Sequence, residues 1–546
     1  MARLSLGLDY GTNSVRALLV DVETGAELAT SVFNFPSGDA GILLDRRDPN
    51  LARQNPADYV AGFYAAVAEV LKGVNPHDVV GIGVDTTGSS PLPIDAEGTP
   101  LAFHPEFKEN LAAYCWLWKD HTSHAEAAEI TEKARAQGQP YLAKCGGTYS
   151  SEWFWSKILH CARVAPEVFA AADSWAECCD WITGYLTGSS DPKTMARSVC
   201  AAGHKAMYAE EWGGLPSKQF LSTLDPRLAD LRDRLYDKAV TSDQSAGGLS
   251  AEVAERTGLK EGTPVAVGAF DAHFGAVASG ARPGVLVKIM GTSTCDCMVH
   301  PLDEPLADVP GLCGIVRGSV LPGCYGLEAG QSAVGDIFNW FSRFSGRSHE
   351  ELTDDAEKLK PGEAGLLALD WNNGNRTILV DPLLTGLLVG QTLYTTPAEV
   401  YRTLIEATAF GALKIINRLE EYGVAVREVV NCGGIAEKSS LTMQIYADVC
   451  NRPMKVSRSS QTCALGSAIF GAVVGGAYGT VEEAQAKMTG VKDRVYEPNP
   501  QSAAIYARLF KLYSELHDAF GNTGWTGSLS HVMKDLIDIR DEVRAG

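Results

Sequence analysis

The stretch Leu6-Gly7-Leu8-Asp9-Tyr10-Gly11-Thr12-Asn13-Ser14 returns half a chain later as Val285-Leu286-Val287-Lys288-Ile289-Met290-Gly291-Thr292-Ser293-Thr294. In each copy an apolar, β-rich run ends at a Gly-Thr turn and a second strand-like run follows, Val15 to Asp21 in the first and Cys295 to Val299 in the second. Working outward from the first copy, Leu4 to Asp9 alternates as a strand, Tyr10 to Ser14 is a glycine-containing turn, and Gly25 turns the chain again into Glu27 to Phe35. Asn55-Pro56 then opens a helix with Tyr59, Val60, Phe63, Val67 and Val70 on one face, and a buried strand follows at Val79 to Asp85. Three strands, a helix and a strand make one unit, and the repeated string predicts two copies of it.

The second half supplies further α/β pieces. Thr396 and Glu399 form a capping box around Pro397, and the helical pattern runs to Tyr422, where Gly423 stops it. Glu428 to Cys432 reads as a strand ending at Gly433-Gly434, with the next helix beginning near Ser439. Met454 to Val456 and Gln461 to Val474 form a second strand and helix, and the amphipathic stretch Ser502 to Phe520 predicts a closing helix. Cys463 to Val481 carries no charge but holds five glycines, so a buried helix followed by a turn is expected there rather than a membrane span. The division expected is 1–279 for one α/β domain and 280–546 for the other.

Composition narrows the partners. The 47 basic against 67 acidic side chains of the 546 residues give a net charge of -20, which repels nucleic acid and anionic membranes from any broad face. An anionic ligand then needs a local site of backbone N–H groups, metal or lysine. The 13 cysteines contain an adjacent pair, Cys178-Cys179, and a one-residue gap, Cys295 to Cys297, but no C-x-x-C; structural zinc is unsupported and reduced thiols of a cytoplasmic protein are expected. Asp9 interrupts the first apolar run too early for an export signal.

Neither a G-x-x-x-x-G-K-[ST] string nor a G-x-G-x-x-G string occurs, so the glycine turns need another reading. Two hairpin turns, Gly11-Thr12-Asn13 and Gly291-Thr292-Ser293, can clamp a triphosphate from both sides, because glycine lets backbone approach closely and hydroxyl or amide side chains donate. This is the actin-like (ribonuclease H-like) ATPase arrangement, with a nucleotide cleft between two α/β domains. Thr12, Asn13, Thr292 and Ser293 could instead satisfy their own turns. Asp9 ends its strand beside the first turn, where it can hold Mg²⁺ through water; its counterpart is Ile289, which leaves one copy facing metal and the other facing phosphate alone.

The blocks Asp9-Tyr10-Gly11-Thr12, Val84-Asp85-Thr86-Thr87-Gly88-Ser89-Ser90, Trp116-Leu117-Trp118-Lys119-Asp120-His121, Phe270-Asp271-Ala272-His273 and Gly291-Thr292-Ser293-Thr294-Cys295 resemble the FGGY carbohydrate kinases. The further blocks Tyr149-Ser150-Ser151-Glu152-Trp153-Phe154-Trp155, Ala202-Gly203-His204-Lys205, Gly326-Leu327-Glu328-Ala329-Gly330-Gln331-Ser332-Ala333 and Gly433-Gly434-Ile435-Ala436 resemble those members of the family that phosphorylate L-ribulose. The blocks run in the right order from Leu6 to Ala468. One departure is Asn372 in Trp371-Asn372-Asn373-Gly374-Asn375-Arg376, where the resemblance leads one to expect an aromatic on the cleft wall.

The resemblance implies ATP and Mg²⁺ as cofactors, L-ribulose as substrate, and neither nucleic acid nor membrane as partner; a homo-oligomer is compatible with it. Asp271 follows the buried strand Pro264 to Phe270, where α/β folds place reacting groups, and is expected to take the proton from the sugar hydroxyl. An aspartate there could also cap the following helix. By resemblance Lys205 and Glu328 join Asp271 around the sugar, with Ser90, Pro91, Leu92 and Pro93 as the pocket wall. Lys119, Asp120 and His121 lie beside tryptophans and belong either to the same cleft or to a solvated helix face. Gly433 and Gly434 let a nucleotide approach the backbone, and Glu437 joins them on the ATP side. Two alternatives stay open at this point: another FGGY kinase acting on ribitol, xylulose or D-ribulose, or an ATP-switched binding protein of the same nucleotide fold.

Overall fold

The structure is a computed structural model that describes residues 3–546. Two mixed sheets carry it. The first runs in the order Ser245–Gly248, Pro264–Ala266, Val79–Thr86, Leu4–Tyr10, Ser14–Asp21, Glu27–Asn34. The second runs Gly314–Arg317, Cys324–Ala329, Thr294–Pro301, Val285–Met290, Glu428–Cys432, Met454–Val456. In each, a central strand pairs antiparallel with the strand after its Gly-Thr turn and parallel with a later buried strand: Leu4–Tyr10 does so with Ser14–Asp21 and Val79–Thr86, Val285–Met290 with Thr294–Pro301 and Glu428–Cys432. The repeated string therefore marks the same place in two copies of one α/β unit, the two-domain, actin-like design expected.

The local signals that set these elements are visible in the structure. Asn55 caps the helix Pro56–Val70 by accepting from Ala57 N–H, and Thr396 and Glu399 make both bonds of a capping box at the start of Pro397–Glu421, which Gly423 follows at φ 86°. Two features depart from the expected order. A small sheet is added, its strands Leu43–Asp45 and Asp48–Gln54 preceding the first helix and Cys115–Trp116 following it. Leu43–Asp45 and Cys115–Trp116 are only three and two residues long, and the central Asp48–Gln54 is mostly polar, so none shows the alternation that would announce it. The strand expected over Pro264 to Phe270 is broken into Pro264–Ala266 and Ala269–Phe270, and Gly268 sits in the gap against the backbone of Cys179.

Separate cores fill the halves, and a further apolar cluster lies between the sheets. Its centre is a helix pair, Asp271–Ala278 and Thr462–Val474, with Phe274 stacked on Phe470 at a centroid distance of 4.4 Å. The second of these helices lies on the first sheet backbone to backbone. A Cβ on Gly7, Gly81 or Gly83 would stand 1.8 to 1.9 Å from a helix carbonyl of Ala464, Gly471 or Ser467. Hydrogen bonds then cross the contact, Ser5 Oγ donating to Ala468 O at 2.6 Å and Ser467 Oγ to Asp85 Oδ2 at 2.6 Å. The uncharged, glycine-rich stretch is thus an internal helix, and among the described residues no helix is long and apolar enough to cross a membrane. All 13 cysteines are unpaired and 11 are buried.

Candidate active site

The strands Leu4–Tyr10, Val79–Thr86 and Ala269–Phe270 are parallel neighbours that finish at the same level, Asp9 standing opposite Asp85 and Ala269 opposite Asp85 on its other side. Three carboxyl groups, of Asp9, Asp85 and Asp271, consequently meet beyond the strand ends, where α/β sheets hold their ligands. Asp9 Oδ2 accepts from Arg16 Nη1 at 2.9 Å. Asp85 is buried; its Oδ2 takes the Ser467 hydroxyl while Oδ1 has no partner. Burial, and after it the charge of Asp9, push Asp85 well above the usual carboxylate range. Asp271 is the first residue of its helix, with Phe270 at the cap position, and its Oδ1 accepts from Ala272 N–H at 2.7 Å. Burial and then Asp9 raise its carboxyl to about 7, the range in which a general base is both ionised and basic. Asp85 and Arg16 escaped the sequence reading. The signals for them were a charged residue closing a buried parallel strand and a lone arginine inside the apolar run Ser14–Asp21.

Both glycine turns open toward this region. Gly11 N–H donates to Ser14 O at 2.9 Å and Gly291 N–H to Ser293 O at 3.0 Å. An added Cβ on Gly11 or Gly291 would meet nothing nearer than 3.5 or 3.8 Å, and neither has a positive φ. The fold itself does not require glycine at either place, which leaves close approach of a ligand as its use. Trp118 Nε1 donates to Thr12 Oγ1 at 3.1 Å and Gln54 Nε2 to Thr12 O at 2.8 Å, while Asn13 Nδ2 reaches Ala40 O. The second turn is braced by the N-terminus of the helix Gly335–Ser345, through Val334 N–H to Thr292 O and Gly335 N–H to Gly291 O. Gly433, at φ 91°, lies against the Met290 carbonyl, whereas Gly434 faces open space. Glu437 stands on the short helix Gly434–Lys438, 3.9 Å from Lys492. Free backbone N–H groups at such places suit anions.

On the other side of Asp271, Lys205 Nζ donates to both oxygens of Glu328 at 2.9 and 3.0 Å. Lys205 ends the helix Val199–Lys205 of the first half, and Glu328 lies in the strand Cys324–Ala329 of the second, so the pair joins the halves. Burial, the largest single effect, acts to raise Glu328, but Lys205, His204 and His273 together overcome it and hold the carboxyl well below its ordinary value; Lys205 is held above its own. His204 Nδ1 and His273 Nε2 lie 3.3 and 3.6 Å from Glu328 Oε2. Burial keeps both imidazoles neutral, His273 falling to about 4. Together with Cys200 they bring three soft donor atoms within 4.8 Å, the compact metal-ligating group among the described residues.

The expected pocket wall divides. Ser90 N–H donates to Glu177 Oε2 at 2.8 Å, Ser89 Oγ also bonds Glu177, and the buried Lys157 Nζ donates to Ser89 O and Leu117 O at 2.8 Å each. A Cβ on Gly88 would overlap the ring of Phe270, next to Asp271. Pro91, Leu92 and Pro93 belong to the buried strand Pro91–Ile94, paired with Ser174–Glu177, and Leu92 packs into the core behind it. Gly88, just before this segment, packs against the residue preceding Asp271, and neither it nor Lys157 nor Glu177 was among the expected site residues. Asp120 is fully buried and committed, accepting from Ala52 N–H at 2.7 Å and from Thr122 while pairing with Arg53, which stacks on Trp116. That engagement makes it a support of the cleft rather than a free sugar ligand. Lys119 is half-buried, without an ion pair among the described residues, and His121 Nδ1 lies 3.1 Å from Ser151 Oγ. Asn372 is exposed, with its amide against Gly386.

Comparison with known proteins agrees with this geometry. The model of the FGGY family of carbohydrate kinases, N-terminal domain, matches residues 4–278, and that of the C-terminal domain matches residues 286–474. The chain is 42% identical to the protein named ribulokinase from Shouchella clausii, over 100% of this chain and 99% of that one. It is also 42% identical to that of Geobacillus thermodenitrificans, over 99% and 98%. Among solved structures it resembles the xylulose kinase from Rhodospirillum rubrum with a TM-score of 0.78 at 23% identity, covering 95% of this chain and 99% of the other.

Proposed function

The chain belongs to the FGGY family of carbohydrate kinases, and from that premise we propose that it catalyses the ribulokinase reaction, moving the γ-phosphoryl group of ATP to L-ribulose to give L-ribulose 5-phosphate, a step of L-arabinose breakdown. The observation that carries the reading is the Lys205–Glu328 pair beside Asp271, at the mouth of two glycine turns. Asp271 takes the proton of the sugar's C5 hydroxyl as that oxygen bonds to the γ-phosphorus and the bond to the β,γ-bridging oxygen breaks, releasing ADP. Gly11, Thr12 and Asn13 on one side, and Gly291, Thr292 and Ser293 on the other, hold the phosphates in line. Gly433, Gly434 and Glu437 flank the adenosine. Lys205 donates to sugar hydroxyl oxygens and Glu328 accepts from hydroxyls, so an analogue lacking one of these groups forfeits a hydrogen bond to a buried charged pair.

The carboxyl groups of Asp9, Asp85 and Asp271 at neighbouring strand ends, with Asp85 Oδ1 orphaned, suit a hydrated divalent cation held through water rather than by direct ligation from all three. Asp9 would hold Mg²⁺ through water; when bound, the ion neutralises charge on the β- and γ-phosphate oxygens. Release of ADP measured across L-ribulose, D-ribulose, D-xylulose and ribitol tests the reading. The expected result is the highest kcat/KM on L-ribulose. A tenfold preference for another sugar, or equal turnover of ATP without sugar, would overturn it.

A further inference from the structure

Residues 370–381 take no part in the steps above, yet they deliver one charged side chain to the cleft. Asn375 and Asp381 exchange two backbone hydrogen bonds of 2.9 Å, Asn375 Oδ1 accepts from Leu379 N–H at 3.1 Å, and Ile378 N–H donates to Gly311 O at 3.1 Å. Thr377 Oγ1 accepts from Gly330 N–H at 2.8 Å, which ties the loop to the strand end just past Glu328. Arg376 is thus held from both sides. Its side chain is three-quarters buried and makes no hydrogen bond among the described residues; Glu152 Oε1 stands 3.9 Å away, beyond hydrogen-bond range. Glu152 comes from the first half, one residue before Trp153, whose ring lies 5.3 Å from Lys205 Nζ. Lys205 is the same lysine that grips Glu328, and Glu328 is also among the charges Arg376 feels. Arg376 and Glu152 therefore face, from opposite halves, the space that Lys205 and Glu328 bound.

A partly buried guanidinium whose planar fork bonds no protein group is open to an acceptor that arrives with the ligand. The nucleotide's phosphates already have the two turns. We propose that Arg376 and Glu152 form a specificity pair for the ketose function of the sugar: Arg376 donates to the carbonyl oxygen and its neighbouring hydroxyl, and Glu152 accepts from a hydroxyl. This rests on the sugar kinase reading above and extends it, because a polyol such as ribitol has no carbonyl for the fork to find.

The test is the ratio of kcat/KM for L-ribulose to that for ribitol in Arg376→Met, Arg376→Lys and Glu152→Gln, with KM for ATP as a control. The expected result for Arg376→Met is a loss of about 10- to 100-fold on L-ribulose, carried by KM, with ribitol changed by less than about threefold, KM for ATP steady and partial recovery in Arg376→Lys. A fall that is equal on both sugars would show a merely structural role and overturn the proposal. So would an unchanged L-ribulose KM with a raised KM for ATP. Should Arg376→Met fail to fold, Glu152→Gln and Arg376→Lys carry the same ratio. Absence of ketopentose activity in the unaltered protein would instead remove the underlying function, so the two failures are distinguishable.

Discussion

Replacing Asp271 by Asn keeps size and the bond to Ala272 N–H within reach but removes the proton acceptor. A positioned general base contributes about 10²- to 10⁴-fold, so turnover should fall by that factor, about 3 to 5 kcal/mol of barrier, with KM for ATP nearly unchanged. The pH dependence follows from its carboxyl at about 7, raised by burial and then by Asp9. Only the ionised form accepts the proton, so kcat/KM should rise about tenfold per pH unit below that value and level off above it. Stability runs the opposite way. The folded state keeps a proton that the unfolded chain gives up near its own value of about 4, so Asp271 weakens the fold progressively as pH rises from about 4 to about 7. A shift from 3.8 to about 7 sets an upper bound of about 4 kcal/mol, which solvent in the cleft lowers. Asp271→Asn should accordingly melt higher than the parent at about pH 8, and by less at about pH 5. Coupled ADP release from acid to alkaline pH, with thermal unfolding at the two ends, measures both effects. Turnover within tenfold of the parent, or a variant that melts lower at alkaline pH, would refute the reasoning.

Other outcomes follow from the same geometry. Lys205→Met leaves Glu328 buried without its cation and should cost about 3 to 5 kcal/mol by urea unfolding, while adding Glu328→Gln recovers most of the stability and none of the activity. The stability that Glu328 gives the parent is present above the ordinary carboxylate pKa and fades as acid brings the pH down toward its depressed folded value; the double variant should lose that acid sensitivity. Gly83→Ala would drive a Cβ into the Ser467 carbonyl and should lower the melting point and soluble yield, whereas Gly11→Ala, whose Cβ would stand in ordinary contact 3.5 Å from Ser14 O, should fold normally and raise KM for ATP. Lys157→Met frees the Ser89 and Leu117 carbonyls and should raise KM for the sugar while leaving KM for ATP unchanged in initial-rate assays.

Much of this could be read in the sequence because the signals are local. The repeated Gly-Thr turns, the capping box at Thr396 and the strand from Glu428 to Cys432 each state their structure within a few residues. The position of Asp271 directly after a buried strand was legible too. What escaped depends on pairings distant along the chain. Asp85 gains its meaning from Asp9 and from Ser467, 382 residues on, and Asp120 loses its freedom to an arginine on an unannounced strand. Lys157 looks like any helix lysine until the carbonyls of residues 89 and 117 converge on it. Such partners leave no periodic trace.

The backbone contact between the first sheet and the helix Thr462–Val474 bears on how the polypeptide is made. Ser5 waits for Ala468, 463 residues later, before one face of the opening strands is shielded. At about 5 to 20 residues per second, translation leaves that face bare for roughly half a minute to a minute and a half. During synthesis the nascent amino-terminal sheet is therefore an adhesive intermediate, a natural client for holding factors at the ribosome exit. A ribosome stalled before that helix emerges would leave a product prone to clumping rather than a working half-enzyme.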